Sequence, residues 1–125
     1  MAESGAPGFS KHKYLSLETY RKSGQGVPTP VWFVESGNRL YVSTPASSGK
    51  IKRLRNNPKV RVAICDVRGK VKGDWVEGEA RLVTGDEAAQ ATAMLLKKYG
   101  LQARIIGWLY RKRKWERAVI AVRVV

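Results

Sequence analysis

The chain is organised around one segment, Ser43-Thr-Pro-Ala-Ser-Ser-Gly-Lys-Ile-Lys-Arg-Leu-Arg-Asn-Asn-Pro58. Its pattern predicts a strand over residues 40–44, a turn rich in serine, and a short helix that the Asn-Asn-Pro sequence ends. Hydroxyls ahead of a helix can cap its free N–H groups, and the same N–H groups can bind a phosphate. The helix also carries four cations within six residues: Lys50, Lys52, Arg53 and Arg55. The segment therefore predicts either an anion site or a solvated basic helix, and taken alone it does not choose between them.

The length of 125 residues indicates a single domain, 1–125, and the small, polar residues 1–10 predict a flexible N-terminus. Hydrophobic residues make up 43% of the chain, which argues against disorder. No apolar run approaches the roughly 20 residues of a membrane span. The first residues also lack the apolar core of a signal peptide. We therefore expect a cytoplasmic protein.

The formal net charge is +14, from 24 Lys and Arg against 10 Asp and Glu. Such an excess concentrates anions near the surface. Nucleic acid, a phosphorylated cofactor, the acidic tail of a cofactor and a membrane face all remain open on composition. The single cysteine, Cys65, excludes an internal disulfide and a cysteine-cluster metal site, and its strand-like surroundings predict a buried thiol.

Alternating hydrophobicity and turn residues predict six strands, at residues 14–20, 27–35, 39–44, 59–66, 74–83 and 117–125. Pro28 and Pro30 lie in the second strand, which fits a sheet edge or a backbone kept free for a ligand. A capping box from Thr84 to Glu87 and a glycine stop at Gly100 bound one long helix. The basic, aromatic segment 103–115 has no assignment. Together these elements predict a six-stranded antiparallel barrel with one long helix and short helices.

The same segments, in the same order and spacing, resemble the pyridoxamine 5′-phosphate oxidase-like split β-barrel (FMN-binding split barrel) superfamily. The resemblance is strongest to its deazaflavin-dependent class, the coenzyme F420-dependent oxidoreductases. It is carried by Thr-Pro-Val-Trp at residues 29–32, by Leu-Tyr-Val-Ser-Thr at 40–44, by Lys-Ile-Lys-Arg-Leu-Arg-Asn-Asn-Pro at 50–58 and by the strand at 75–83. The match covers most of the chain, and the ordered set is more specific than any one motif.

The resemblance implies a homodimer with two cofactor sites at its interface, a small-molecule substrate, and hydride transfer from reduced F420 to an unsaturated or conjugated compound. It implies that the ring and ribityl chain lie against Thr29, Pro30, Val31 and Trp32, and that Ser43 and Thr44 lie near the ribityl chain and phosphate. It assigns the phosphate to Ser48, Lys50, Lys52 and Arg53. Catalytic side chains stay unassigned, because the cofactor carries the hydride step.

The sequence departs from the pyridoxamine oxidases themselves. Their second strand carries an arginine and ends in lysine, whereas here the corresponding place reads Thr-Pro-Val-Trp-Phe-Val. Their C-terminal substrate segment also has no counterpart. Both differences count against pyridoxamine phosphate as the substrate, although an FMN-binding flavoprotein remains the alternative to F420.

The segment from Arg104 to Trp115 mixes tryptophan and tyrosine with five cations and leaves several interpretations open. It could cover the cofactor, hold the acidic tail of F420, pack its aromatic side chains inward, or bind single-stranded nucleic acid by stacking and charge. A basic nucleic-acid-binding barrel is thus the alternative from another functional class. We favour the oxidoreductase over nucleic acid, expect no membrane partner, and expect no bound metal.

Overall fold

The computed structural model describes Phe9 and residues 12–124. The other residues of the predicted flexible N-terminus, and Val125 at the end of the last predicted strand, lie outside the described residues. None of the helices in this described part of the chain is long and apolar enough to cross a membrane.

The described residues fold into one antiparallel sheet, curled into a half-barrel, with three helices, which confirms the predicted split-barrel class. The elements in chain order are β1 (Leu15–Tyr20), β2 (Gly26–Val31), β3 (Phe33–Ser36), β4 (Arg39–Pro45), α1 (Gly49–Asn56), β5 (Lys59–Ile64), β6 (Val76–Val83), α2 (Gly85–Tyr99), α3 (Leu101–Arg113) and β7 (Arg117–Val124). The strands lie in the order β2-β1-β5-β6-β7-β4-β3.

The sheet has seven strands rather than the predicted six, because the second predicted strand breaks at Trp32. Its first half, β2, pairs with β1 at one edge of the sheet, and its second half, β3, pairs with β4 at the other. Only one residue joins these two edge strands. The sheet must therefore curl until its edges approach each other, as in a barrel.

The inside of the half-barrel is the main hydrophobic core. Leu15, Leu17 and Phe33 are fully buried there, and α1 contributes Ile51 and Leu54. The last two residues are three apart and share one face of α1. They attach the basic helix to the barrel, as their spacing predicts.

Helix α2 packs on the outside of the sheet, where Ala91 lies against Tyr41, Val83 and Val119. Val83 of β6 is buried under α2, whereas Leu82, on the same face of the strand as the buried Ala80, is 37% exposed.

The predicted capping box at the start of α2 does not form. The side chain of Thr84 makes no capping hydrogen bond. The Glu87 carboxylate instead accepts hydrogen bonds from Tyr41, Arg39 and Arg81. These three donors pull Glu87 toward the sheet and lower the pKa of its carboxyl group, with Arg81 the largest cause.

Tyr99, at the end of α2, holds the seam where β2 turns into β3. The Phe33 N–H donates to the Tyr99 hydroxyl at 3.0 Å, and that hydroxyl faces the carbonyl oxygens of Lys13 and Phe33 at 2.8 and 2.9 Å. The Tyr99 ring stacks on the Trp32 indole, with centroids 4.4 Å apart and planes 5° apart. The interruption between β2 and β3 at Trp32 is therefore stabilised from outside the barrel.

Candidate functional site

The junction of β4 and α1 contains two of the predicted hydroxyls. Thr44 is buried at the end of β4, and its Oγ1 lies 3.3 Å from Ser48 Oγ in a hydrogen bond. Ser48 immediately precedes α1 in an extended conformation but makes no side-chain capping bond. The first turn of α1 also contains no acidic residue. The positive end of the helix is therefore not neutralised by its own side chains.

Arg53 folds back toward the start of the same helix. Its Nε donates a 2.6 Å hydrogen bond to Thr19 Oγ1 at the end of β1. A Cβ atom added at Gly49 would lie only 2.8 Å from Arg53 Nη1. The absence of a side chain at Gly49 thus makes room for the guanidinium group beside the first turn of α1.

The cations at this junction are held together at an electrostatic cost. Burial and the nearby Arg53 lower the pKa of Lys50. Burial and the charge of Arg21 lower the pKa of Arg53. Among the described residues, no carboxylate forms an ion pair with Lys50, Lys52 or Arg53. Uncompensated, partly desolvated cations beside a helix N-terminus provide the chemistry that a phosphate requires.

The structure therefore brings Thr44, Ser48, Lys50 and Arg53 together and places Lys52 on the exposed side of α1. Sequence analysis missed Thr19, Gly49 and Arg21. Thr19 lies far from α1 in sequence, and only its place on the buried face of β1, in step with Leu15 and Leu17, could have indicated it.

The four residues predicted to contact the ring, Thr29 to Trp32, do not all point to the same side of the sheet. Val31 faces the core, and Pro30 is exposed beside the 66–70 turn, where it approaches Gly69. Thr29 Oγ1 is buried and has no hydrogen-bond partner among the described residues. A buried hydroxyl without a partner is uncommon and could be satisfied by a polar ligand.

The edge of β2 is shaped by its prolines. Residues alternate in pointing their backbone groups toward β1 or away from it. Since Pro28 and Pro30 have no N–H, their positions point away from β1, and that edge offers carbonyl acceptors but no donors at these two residues. The structure confirms the sheet-edge interpretation of these prolines.

Trp32 and Ser43 lie in a second place, a groove of about 240 Å³ between the sheet and helices α2 and α3. Neighbouring side chains on a strand point to opposite faces, so Ser43 faces this groove while Thr44 faces the barrel interior. One face of the Trp32 indole contacts Tyr99. The other residues lining the groove are Thr92, Leu95, Leu96, Ala103, Gly107, Tyr110, Arg111, Trp115 and Arg117.

Aromatic and cationic side chains meet at one side of this groove. Tyr110 and Trp115 pack edge to face with ring centroids 5.5 Å apart, and the Arg117 guanidinium lies 4.6 Å from the centre of the Tyr110 ring. Burial lowers the pKa of Arg117. The groove is thus mostly apolar, with cations at its rim. The predicted site residues therefore form a phosphate-type cluster at α1 and a separate aromatic groove on the other face of β4.

Other features of the described residues do not form a catalytic constellation. No group of three or more His, Cys, Asp or Glu side chains there could hold a metal ion. Cys65 is free and buried, as expected, and burial raises the pKa of its thiol. A larger cavity of about 500 Å³ lies on β5 and β6 between Tyr20, Glu77 and Arg123, but it contains none of the predicted site residues.

Solved structures share this fold at low sequence identity. HutZ, a heme storage protein from Vibrio cholerae, is 16% identical with a TM-score of 0.71, over 92% of this chain and 83% of that chain. The conserved hypothetical protein Rv2991 from Mycobacterium tuberculosis is 20% identical with a TM-score of 0.66, over 90% and 72%. An F420 reductase is 18% identical with a TM-score of 0.62, over 99% and 96%. At these identities the likeness shows the fold alone.

Sequence comparison assigns the family. Among curated protein sequences, none matches the chain. A family model described as pyridoxamine 5′-phosphate oxidase matches residues 3–125, which is nearly the whole length. The chain therefore belongs to the pyridoxamine 5′-phosphate oxidase family of split β-barrel proteins.

Proposed function

We propose that the protein is a coenzyme F420-dependent oxidoreductase that uses reduced F420 to reduce a small unsaturated or conjugated substrate. The family includes oxidoreductases, and one structural relative that spans nearly the whole chain is named an F420 reductase. The observation that carries the proposal is the cluster at the start of α1, where cations and hydroxyls lie together without acidic partners.

The residues of this cluster fit a phosphate group. Thr44 and Ser48 supply hydroxyl donors, and Lys50 and Arg53 supply charge and N–H donors close to the first turn of α1. Lys52, on the exposed side, would contribute charge at longer range. A phosphate here would relieve the repulsion between Lys50 and Arg53, and that relief is a source of binding free energy.

The remaining predicted residues would contact the rest of the cofactor. The unpartnered hydroxyl of Thr29 could donate a hydrogen bond to the ribityl chain. Pro30 and Val31 would lie along the same strand edge, where Pro30 offers a carbonyl acceptor but no N–H donor. Trp32 and Ser43 would border the ring from the groove side. The bound deazaflavin would supply the hydride, while apolar walls such as Leu95 and Trp115 exclude water from the groove.

We further propose that the protein acts in the cytoplasm as a homodimer, with its cofactors at the interface. The two groups of site residues lie on opposite faces of β4, so one cofactor that contacts both groups would take each group from a different copy of the chain. Sedimentation of the purified protein with and without F420 tests this. A monomer at the concentrations where F420 binds would contradict the dimer but not the cofactor assignment.

The test of the cofactor is a titration of the purified protein with F420, FMN, heme, and the deazaflavin fragment that lacks the phosphate and acidic tail. F420 should bind tightest, and the fragment should bind far more weakly. Lys50→Ala should weaken F420 binding by on the order of 1–3 kcal/mol, as expected for a charged hydrogen-bond partner. Arg55→Ala, an exposed cation on the same helix, is the matched control and should change little.

FMN remains the second candidate cofactor, because it presents a similar tricyclic ring, ribityl chain and phosphate. The same α1 cluster would hold it. Tighter binding of FMN than of F420 would replace the deazaflavin in this proposal. Failure of both, or an affinity for F420 that Lys50→Ala leaves unchanged, would remove the phosphate assignment altogether.

A further inference from the structure

Helix α3 exposes an apolar stripe on the side that faces away from the protein. Leu101 is 71% exposed, Ile105 50%, Trp108 52% and Leu109 39%. Their spacing of four, seven and eight residues from Leu101 places them on one face of the helix. Ala103 is buried and lies on the opposite side, against α2. The helix thus has one apolar face that packs on the protein and a second that is largely exposed.

The segment that carries this stripe is strongly basic. Five cations lie on the helix or just after it: Arg104, Arg111, Lys112, Arg113 and Lys114. No Asp or Glu occurs from Ala88 to Trp115. The ammonium group of Lys112 lies 5.0 Å from the centre of the Trp108 ring, so a cation also sits within the stripe. Any surface that covers the stripe must therefore accept aliphatic side chains and several positive charges together.

We propose that α3 is a membrane-surface helix, which docks the protein on an anionic phospholipid bilayer. An interfacial helix buries its apolar face roughly 5–10 Å into the headgroup and acyl boundary, and its lysines and arginines pair with anionic headgroups. Exposed leucine and isoleucine gain from contact with acyl chains, and tryptophan favours the headgroup level. Each basic residue near such a surface adds to the attraction.

Charge argues against a second copy of this chain as the occupant of the stripe. Two α3 helices placed face to face would bring their cations together, and the segment offers no carboxylate to compensate them. The side chains argue against nucleic acid. Bases stack on aromatic rings, but Leu101, Ile105 and Leu109 are aliphatic and would stay in water.

The proposal revises the expectation of no membrane partner. That expectation rested on the absence of a membrane-spanning run and of a signal peptide, which does not address a helix lying on a surface. Segment 103–115 had no assigned structure in the sequence, so the exposed side of α3 could not be recognised there. The inference is independent of the cofactor proposal, since the stripe lies on the other side of α3 from the groove lining.

The experiment measures flotation with vesicles of phosphatidylcholine, with and without phosphatidylglycerol, using the full chain. We expect binding only when phosphatidylglycerol is present. The double variant Leu101→Gln/Ile105→Gln keeps every charge, and its affinity for the vesicles should fall by about tenfold or more. Val67→Gln, a 62% exposed apolar residue in the turn after β5, is the matched control and should bind like the wild type. Circular dichroism checks that each variant is folded.

Three outcomes would overturn the proposal. Equal vesicle binding by the wild type and the double variant would show that the net charge of +14 acts without the stripe. Tighter binding to a single-stranded oligonucleotide, lost in Trp108→Ala but kept in the double variant, would assign the face to nucleic acid. A dimer that the double variant dissociates, together with no vesicle binding, would assign the stripe to a second copy.

Discussion

Arg53 and Thr19 are 34 positions apart in sequence, yet a 2.6 Å hydrogen bond joins the Nε of the arginine to the hydroxyl of the threonine. Thr19 is completely buried at the end of β1, whereas Arg53 lies on the face of α1 beside Gly49. The bond fixes a guanidinium group next to the helix N-terminus. It therefore links the barrel wall to the proposed phosphate site.

Thr19→Val tests this link, because it removes the hydroxyl while nearly keeping the volume of the side chain. Arg53 Nε would lose its partner, and a hydrogen bond to a charged group contributes about 1.5–3 kcal/mol. We expect a lower free energy of unfolding in urea and weaker F420 binding. The control is Thr84→Val at the exposed start of α2, whose hydroxyl makes no capping hydrogen bond and lies outside the proposed cofactor site. Unchanged affinity and stability in Thr19→Val would contradict the role given to Arg53.

Gly49→Ala should separate binding from stability. The added methyl group would lie 2.8 Å from Arg53 Nη1, so the guanidinium must move away from the start of α1. Only the far end of the Arg53 side chain has to move, so its Nε can keep the hydrogen bond to Thr19. Alanine also favours a helix over glycine by up to about 1 kcal/mol, so the free energy of unfolding should not fall as it does in Thr19→Val. F420 affinity, measured by titration, should nevertheless fall.

The control for helix propensity is Gly107→Ala in α3. Its added methyl would lie 3.6 Å from Arg111 Nη1, which is an ordinary contact. The effect of replacing glycine by alanine on the free energy of unfolding should therefore be seen in this variant without a steric clash. If Gly49→Ala gained stability and kept full F420 affinity, the position of the guanidinium would be irrelevant to the phosphate.

Local chemistry explains what the sequence predicted well. Helix α1 spans Gly49–Asn56, where the serine turn and the Asn-Asn-Pro stop placed it, because both signals act on neighbouring residues. Strand alternation located five of the six predicted strands as single strands, whereas the predicted strand at 27–35 is divided into β2 and β3. The prediction that Ile51 and Leu54 attach α1 to the core is also confirmed.

Contacts between distant residues explain what the sequence did not show. The break at Trp32 depends on Tyr99, which lies 66 residues after Phe33 and satisfies its backbone N–H. The capping box failed because Tyr41 and Arg81 compete for Glu87. The segment 103–115 could not be assigned because α3 is apolar on two sides, and this hides the single-sided periodicity expected of a surface helix.

Tyr99→Phe should destabilise the seam of the barrel. The variant keeps the stacking on Trp32 but removes the hydroxyl that accepts from the Phe33 N–H and faces two carbonyl groups. Leaving a buried backbone donor without a partner costs about 1–3 kcal/mol. The urea midpoint should therefore fall.

Tyr110→Phe is the control for the loss of a tyrosine hydroxyl, since no hydrogen bond of the Tyr110 hydroxyl is found among the described residues. Equal urea midpoints for the two variants would show that the Tyr99 hydroxyl does not hold the seam.

The stability of the protein should depend on pH through Lys98. Its ammonium group donates to Phe33 O at 3.0 Å and lies 3.7 Å from the centre of the Phe33 ring. Burial lowers the pKa of Lys98 from 10.5 to about 8. Between these two pH values the unfolded chain binds the proton while the folded chain releases it, so this residue makes the free energy of unfolding rise with pH. Below the folded pKa the cost of burying the charge is fully present.

Lys98→Met removes this titration, so the wild type should gain stability relative to the variant as pH increases from about 8 to about 10.5. Urea unfolding at several pH values in this window measures the difference. Lys97→Met, an exposed neighbour in the same last turn of α2, should leave the pH dependence of the wild type in place. A difference between the wild type and Lys98→Met that does not change across the window would mean that the Lys98 ammonium remains solvated in the folded protein, and that its contact with Phe33 does not desolvate it.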